Sequence, residues 1–384
     1  MFPRALSLPT PPRETFFLWG PRQTGKSSLI ADLYPGSFWI DLLKNDQFVR
    51  YSRHPELLRQ ELLARPREKL VVVDEIQKVP ALLDEVHWLI ENRGITFALC
   101  GSSARKVKRG HANLLGGRAV RHELFSLVSQ EIGADFDLVR AVNHGGLPRH
   151  YLSDSPQRLL KAYVADYLKE EVAAEGLVRN LPAFADFLAV AALSDAEQVN
   201  FTNIARECSV SAPTVREYFQ ILEDTLLGRF VRAYTKRPKR RVIQAPKFYF
   251  ADVGVVNVLG KRGRLEPGTE LFGKALENWV CHELNAYVSY RGLDCEVRYW
   301  RLASGIEVDF VTDDLRLAVE VKSTRRPTDA HLKGLRSLKE EQRSVGRRVL
   351  ACMEQRARRT EDGIDILPVG EMLEKLWADD LLAP

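Results

Sequence analysis

Short apolar runs alternate with amphipathic stretches over residues 14 to about 150. The apolar runs predict four buried strands, at Glu14–Trp19, Gly36–Leu42, Leu70–Val73 and Ile95–Cys100. Amphipathic segments such as Leu82–Glu91 lie between them and predict helices. This alternation is typical of an α/β fold, in which helices cover both faces of a parallel sheet.

The pattern changes twice further along the chain. Helical periodicity, followed by a candidate hairpin, predicts elements at Gln157–Ala173, Pro182–Leu193, Thr202–Leu227, Gly228–Tyr234 and Val242–Phe250. The last region mixes helix and strand patterns, at Leu271–Ser289, Glu296–Leu302, Ile306–Thr312, Ala318–Val321 and Asp329–Leu338. We therefore expect three domains, spanning residues 1–155, 156–265 and 266–384.

Composition excludes several classes of protein. The 384 residues are 45% hydrophobic and 28% charged, with a net charge of +5, which rules out a disordered or fibrous chain. We find no apolar run of the roughly 18 residues that a membrane span needs, and no signal-peptide pattern. Five scattered cysteines without a CxxC pair argue against disulfides and zinc. A cytoplasmic protein is expected.

A phosphate-binding motif follows the first predicted strand. Residues 20–27 read GPRQTGKS, which fits GxxxxGK[ST] between a strand and a helix, Ser27–Leu33. Glycines let the backbone wrap phosphates, Lys26 can reach the β- and γ-phosphates, and the Ser27 hydroxyl can ligate Mg²⁺. We predict that nine residues bind ATP: Gly20, Pro21, Arg22, Gln23, Thr24, Gly25, Lys26, Ser27 and Ser28.

Two carboxylates follow the third predicted strand. The strand delivers Asp74 to its carboxyl end, where ligands bind in open α/β sheets, so that Asp74 and Ser27 would hold Mg²⁺. Glu75 is then placed to orient and deprotonate the attacking water. After the fourth predicted strand, Ser102 could sense the γ-phosphate, with Ser103 as the reserve. Either serine could equally well be a helix N-cap.

The motifs together resemble a known family. The P-loop, the acidic pair and the polar sensor are similar to those of AAA+ ATPases. Five segments narrow the resemblance to prokaryotic AAA+ ATPases of the AAA_14 type joined to a C-terminal DUF4143 domain: residues 20–26, 74–77, 101–104, 116–119 and 145–148. The resemblance covers nearly the whole chain and implies an AAA+ core, a winged-helix middle domain and a restriction-endonuclease-like C-terminal domain.

Arg118 is a candidate arginine finger. The AAA+ resemblance implies that an arginine beyond the sensor strand reaches the γ-phosphate of a neighbouring subunit, so that hydrolysis depends on assembly into a ring. Arg105 and Arg121 are competitors for this role. The alternative is a surface arginine, or one that is paired with Glu123.

The middle region resembles a helix-turn-helix followed by a wing. Ile204, Val215, Phe219 and Leu222 have the spacing of a small shared core. The predicted hairpin tip is basic at five of six positions, which suits a nucleic-acid backbone. These candidate DNA-binding residues are Lys236, Arg237, Lys239, Arg240 and Arg241. The alternatives are a solvated charged face and a module that packs within a ring.

The C-terminal region resembles a PD-(D/E)xK nuclease core, through the spacing of Asp309, Glu320 and Lys322. Two carboxylates would bind a divalent metal, and the lysine, on the same strand face as Glu320, would orient the water or stabilise developing charge. The resemblance implies Glu277 as a further ligand. The alternative is a salt-bridged strand pair that uses Lys322.

Three classes of function remain open. The first, which we favour, is an ATP-hydrolysing motor that binds or remodels duplex or branched DNA as an oligomeric ring. The second is an ATP-gated, metal-dependent DNA nuclease. The third is an ATPase switch of slow turnover that controls a protein partner.

Overall fold

The structure, a computed structural model, describes residues 2–65, 68–103, 115–174, 178, 180–235 and 245–383. The chain divides into two compact units. One contains residues 6–126 and 224–226, and the other contains residues 1–5, 127–223 and 227–384. The predicted domain boundaries at residues 155 and 265 stay predictions.

The first unit is built on a five-stranded sheet. Its strands are β1 Thr15–Trp19, β2 Phe38–Asp41, β3 Leu70–Asp74, β4 Thr96–Gly101 and β5 Ala119–Glu123. All neighbouring strands are parallel, in the order β2-β3-β4-β1-β5. Its helices are α1 Lys26–Leu33, α2 Asn45–Arg53, α3 Leu57–Leu63 and α4 Leu82–Arg93. The parallel α/β fold and its four predicted strands are confirmed.

Buried strands fix where the site can form. β1, β3 and β4 are almost entirely buried, which explains their continuous apolar sequences. β1 pairs with β4, and β4 pairs with β3. Because parallel strands end at the same edge of a sheet, the segments that follow these three strands come together.

The second unit begins with a helical region and a hairpin. Its helices are α5 Ser129–Ile132, α6 Leu138–His144, α7 Pro148–Tyr151, α8 Pro156–Ala174, α9 Leu181–Leu193, α10 Phe201–Glu207, α11 Ala212–Asp224 and α12 Val253–Leu259. β6 Gly228–Val231 and β7 Lys247–Phe250 form the antiparallel hairpin. The predicted core of Ile204, Val215, Phe219 and Leu222 is buried in one cluster, as expected.

Aromatic rings fill the space between α9, α11 and the hairpin. The ring of Phe219 on α11 lies 4.9 Å from Phe187, 5.5 Å from Phe230 and 4.7 Å from Phe248, between ring centroids. Such edge-to-face and tilted pairs add to the stabilisation that comes from the area each ring buries. The hairpin is therefore part of a packed core at its base.

A six-stranded mixed sheet forms the rest of this unit. Its elements are α13 Glu270–Tyr290, β8 Val297–Arg301, β9 Glu307–Thr312, β10 Leu317–Val321, α14 Asp329–Glu341, β11 Arg347–Cys352, β12 Arg358–Arg359, β13 Ile364–Pro368 and α15 Val369–Trp377. The sheet order is β12-β13-β11-β10-β9-β8. β8, β9 and β10 are antiparallel neighbours, whereas β10, β11 and β13 are parallel. The predicted helix, its three following strands and the next helix are all present.

The chain after β6 joins the edge of this sheet. The backbone N–H of Tyr234 donates to the carbonyl of Tyr299 at 2.6 Å, and the N–H of Tyr299 donates to the carbonyl of Arg232 at 3.1 Å. These bonds attach the chain just after β6 to β8. Among the described residues, no helix combines the length and apolar composition that a bilayer crossing requires.

Candidate nucleotide-binding site

The loop between β1 and α1 has the backbone conformation of a phosphate cradle. Gly25 has a φ of 93° and Gln23 a φ of 64°, both in the left-handed region. Left-handed residues beside right-handed ones direct successive N–H groups into a concave nest that favours anions. A side chain at position 25 would strain the backbone, which explains the glycine. The loop leads directly into α1, which begins at Lys26.

The lysine and threonine of the loop bond to its own carbonyls. Lys26 Nζ donates to the carbonyl of Gly20 at 2.7 Å and to that of Pro21 at 2.9 Å. The Thr24 hydroxyl donates to the carbonyl of Pro21 at 2.9 Å. Because the ammonium bonds to neutral carbonyls, a phosphate oxygen would compete for it with the added strength of a charged acceptor.

A cavity of about 270 Å³ opens beside this loop. Most of its lining belongs to the predicted P-loop, and Glu75 and Leu43 complete it. The apolar Leu43 follows β2, and nothing in its residue type marks it as a site residue in the sequence. The P-loop residues that line the cavity are Arg22, Gln23, Gly25, Lys26, Ser27 and Ser28.

The other three residues of the predicted P-loop, Gly20, Pro21 and Thr24, take part in the hydrogen bonds within the loop. The structure therefore brings all nine predicted residues to one place at the edge of the sheet. Their roles toward a nucleotide stay predictions.

The two predicted metal ligands contact each other. The Ser27 hydroxyl donates to Asp74 Oδ2 at 2.6 Å, and the other carboxylate oxygen accepts the N–H of Glu75 at 3.1 Å. Burial raises the pKa of Asp74 above its usual value, and the hydrogen bond from Ser27 opposes this rise. A hydroxyl and a carboxylate are hard oxygen donors of the kind that Mg²⁺ prefers.

Glu75 lies at the turn that follows β3. Its φ of 58° is in the left-handed region, which is costly for a residue with a side chain and is common at functional sites. The turn continues as a 3₁₀ helix, Ile76–Lys78. Glu75 also lines the cavity, although the residue as a whole is buried. Its carboxylate is therefore held beside the place where the loop would bind phosphates.

Gln77 links the predicted base to the predicted sensor. Its side-chain amide donates to a carboxylate oxygen of Glu75 and, at 2.9 Å, to the hydroxyl of Ser102. All three residues are buried. A Cβ atom at Gly101 would lie 2.4 Å from Gln77 Oε1, so the glycine before the sensor leaves the room that this amide occupies. The reserve sensor, Ser103, donates to the carbonyl of Asp224 at 3.4 Å.

The sequence motifs do not select Gln77 as a site residue. It belongs to the segment 74–77 that carries the family resemblance, and this is the signal that could have found it. Periodicity cannot select it, because the left-handed turn at Glu75 sets the direction of its side chain.

Arg118 lies between β4 and β5, on the surface. Its guanidinium pairs with Glu91 in the last turn of α4, and both side chains are exposed. The predicted alternative partner, Glu123, lies on β5. Arg121 is also exposed, whereas Arg105 lies outside the described residues. An exposed ion pair is weak, so Arg118 can exchange its partner at little cost.

The predicted nuclease residues lie together in the second unit. Lys322 Nζ lies 2.6 Å from Glu320 Oε1 and 3.5 Å from Asp309 Oδ2. Glu277 joins the same cluster through Lys247, a residue that no sequence motif singles out. Burial raises the pKa of Glu320, the nearby charge of Asp309 adds to this rise, and Lys322 opposes it.

Acidic side chains at this cluster are already paired with lysines. Among the described residues, no group of three His, Cys, Asp or Glu side chains is arranged to hold a metal ion. The five basic residues of the predicted wing tip, Lys236, Arg237, Lys239, Arg240 and Arg241, lie outside the described residues.

Three family models match consecutive parts of the chain. An AAA domain matches residues 12–133, a domain of unknown function (DUF8612) matches residues 135–266, and a domain of unknown function (DUF4143) matches residues 272–372. The chain therefore contains an AAA domain and a DUF4143 domain, which confirms this part of the sequence resemblance. The AAA domain, with the P-loop described above, makes the chain an ATPase.

One relative matches about three quarters of the chain. An uncharacterized protein of Haemophilus influenzae is 25% identical over 309 residues, which are 74% of this chain and 74% of that protein.

One similar solved structure comes from Pyrococcus horikoshii. It is a signal transduction ATPase with numerous domains (STAND) that has a tetratricopeptide repeat sensor, and it is 12% identical to this chain with a TM-score of 0.21. The match covers 73% of this chain but only 46% of that one. AMPPCP-bound DnaA from Aquifex aeolicus is 14% identical, with a TM-score of 0.23 and coverage of 55% and 82%.

Proposed function

We propose that this ATPase hydrolyses ATP at the edge of the five-stranded sheet, with Glu75 as the base. The observation that carries the proposal is that P-loop residues and Glu75 line one cavity, and that Ser27 Oγ lies 2.6 Å from Asp74 Oδ2. In this proposal Lys26 binds the β- and γ-phosphates, and Ser102 senses the γ-phosphate. Each of these roles is one that the residue type can perform chemically.

The residues present fit Mg²⁺. Ser27 and Asp74 supply two adjacent hard oxygens, and the raised pKa of Asp74 reflects a buried carboxylate that a cation would stabilise in its charged form. When bound, Mg²⁺ supplies charge neutralisation at the phosphate oxygens. The chain itself orients the water through Glu75 and accepts a proton at the Glu75 carboxylate.

Gln77 is a positioning residue in this proposal. Its amide holds the Glu75 carboxylate and the Ser102 hydroxyl at once, so that the base and the sensor have a common partner. Binding or release of a γ-phosphate at Ser102 would therefore change the position of the Glu75 carboxylate through the side chain of Gln77.

We further propose that this ATPase is a motor that binds or remodels duplex or branched DNA, and that it acts as an oligomeric ring. The supporting observation is the concentration of five basic residues in the six positions 236–241, on the segment that joins β6 to β7. Helices α10 and α11, followed by this hairpin, have the element order of a winged helix. Phosphate contacts from such a segment would bind DNA without reading its sequence.

The experiment measures ATP turnover with and without single-stranded, duplex and four-way-junction DNA, together with DNA affinity as a function of salt. Replacing Lys236, Arg237, Lys239, Arg240 and Arg241 by alanine should flatten the slope of log K against log salt, by about 0.9 for each phosphate that these residues neutralise. The affinity should fall to a similar extent for DNA of unrelated sequences.

A matched control removes exposed positive charge elsewhere. Replacing Arg356, Arg358 and Arg359, all exposed around β12, by alanine should leave the salt slope unchanged. Unchanged affinity and slope in the five-residue variant would contradict DNA binding through the segment. ATP turnover that DNA does not alter would instead favour a switch that controls a protein partner.

A restriction-endonuclease-like fold is our interpretation of the C-terminal sheet, supported by the element order α13-β8-β9-β10-α14-β11. The fold would not by itself bring nuclease activity. Because the carboxylates beside Lys322 are already paired with ammonium groups, the residues do not fit a divalent metal in this arrangement, and we derive no cleavage step from them.

A further inference from the structure

A buried lysine lies among three carboxylates in the second unit. Lys247 Nζ is 2.5 Å from Glu307 Oε1, 3.0 Å from Glu277 Oε1 and 3.9 Å from Asp309 Oδ1. The side chain of Lys247 is only 5% exposed. Two of these carboxylates, Glu277 and Asp309, are metal ligands in the prediction from sequence. Lys247 comes from β7, 30 residues before Glu277.

The ammonium has the surroundings that a bound cation would have. Carboxylates approach it from α13, which carries Glu277, and from β9, which carries Glu307 and Asp309. Burial alone would lower the pKa of Lys247, but the nearby negative charges outweigh this effect and raise it.

The backbone holds this ammonium in place. Lys247 is the first residue of β7, whose four residues are all buried, and it pairs with Val231 across the hairpin. Gln198 forms an isolated antiparallel β-bridge with Lys247 through the backbone. A free metal ion can leave a site, whereas an ammonium on a buried strand cannot leave unless the β6–β7 hairpin opens.

We propose that Lys247 is the resident cation of the Glu277–Glu307–Asp309 cluster, and that it excludes a divalent metal from this site. A divalent ion would need carboxylate oxygens at about 2.0–2.6 Å. One oxygen of each carboxylate already approaches the ammonium. The second oxygen of Glu307 pairs with Arg301, and that of Asp309 pairs with Lys322. A dication beside Lys247 would also be repelled by Lys322, which lies 3.5 Å from the same Asp309. The cluster thus joins β7 to the C-terminal sheet by charge.

The test uses the full chain and Mn²⁺, without nucleotide. The variant Lys247→Met keeps an unbranched side chain that is one heavy atom shorter and removes the charge, so three carboxylates lose their shared partner. We expect it to gain one Mn²⁺ site for each chain, measured by the decrease of the free-ion signal in electron paramagnetic resonance. The same variant should be stabilised by Mn²⁺ in thermal unfolding, because a ligand that binds the folded state alone raises its stability.

Two controls assign the new site. The double variant Lys247→Met with Asp309→Asn should lose it, which separates it from any Mn²⁺ at the P-loop. Lys274→Met is the matched lysine control, because Lys274 also lies in this unit, on α13, and pairs with two carboxylates, Glu197 and Glu270, but is more exposed. It should gain no site.

Three results would overturn the proposal. The first is an Mn²⁺ site in the unmodified chain that Asp309→Asn removes, since this would mean that Lys247 does not exclude the metal. The second is a folded Lys247→Met variant that gains no site. If that variant does not fold, the rate of acetylation in the unmodified chain tests whether Lys247 stays within the cluster. Lys247 should react on the order of 100-fold more slowly than Lys274, because a buried ammonium is exposed only when the structure opens locally. Equal rates are the third overturning result.

Discussion

Replacing Gln77 by leucine should slow ATP hydrolysis without greatly changing ATP binding. The substitution keeps a side chain of similar size after β3 but removes the amide that bonds to Glu75 and Ser102. A hydrogen bond to a charged group is worth about 1.5–3 kcal/mol. If that energy positions the Glu75 carboxylate in the transition state, its removal lowers kcat by about 10- to 150-fold.

The assay is steady-state release of phosphate, with the affinity for a fluorescent ATP analogue measured in parallel. The affinity should stay within about threefold of the unmodified chain, because the P-loop is intact. Gln198→Leu is the matched control, since Gln198 bonds to Tyr299 in the other unit and should leave kcat unchanged. An unchanged or increased kcat in Gln77→Leu would refute the idea that this amide positions the base.

Three further predictions concern stability and assembly. Burial raises the pKa of Glu283 to about 7. The protonated carboxyl therefore stabilises the folded chain fully below the pKa that this group has in the unfolded chain, and the stabilisation is lost as the pH rises through about 7. Glu283→Gln should flatten the pH dependence of the free energy of unfolding, measured in urea, between about pH 5 and 8. Phe219→Ala should lower the free energy of unfolding by about 3–5 kcal/mol in the same urea assay, and a decrease below about 1 kcal/mol would mean that the ring is not packed as described. Mixing Arg118→Ala protein with Lys26→Ala protein should restore ATP turnover if Arg118 acts across subunits, whereas a fully active monomer would contradict a ring.

The α/β core is predictable because burial leaves a strong signal. β1, β3 and β4 are covered on both faces, so their sequences are continuous apolar runs. β5 escapes prediction because it is an edge strand, and its sequence AVRHE is partly exposed and has no apolar run. The P-loop can be found because its chemistry needs fixed residue types at fixed spacing within one short segment.

Contacts between distant segments are harder to predict. Asp309, Glu320 and Lys322 can be grouped because they lie on or next to neighbouring antiparallel strands, where side chains alternate with period two. Lys247 cannot be grouped with them, because the pattern around it indicates only a short strand. Its place among the carboxylates depends on how the hairpin packs against α13 and β9, and nothing local in the sequence encodes that packing.

The most direct test of the account is ATP turnover by Glu75→Gln, measured beside ATP binding. The amide keeps the size of the side chain and leaves Ser27 and Asp74 in place, so binding should stay within about threefold of the unmodified chain. Hydrolysis should fall by about 10²–10⁴-fold, the usual contribution of a positioned base. Normal turnover by this variant would contradict the assignment of Glu75 as the base and, with it, the proposed mechanism of the site.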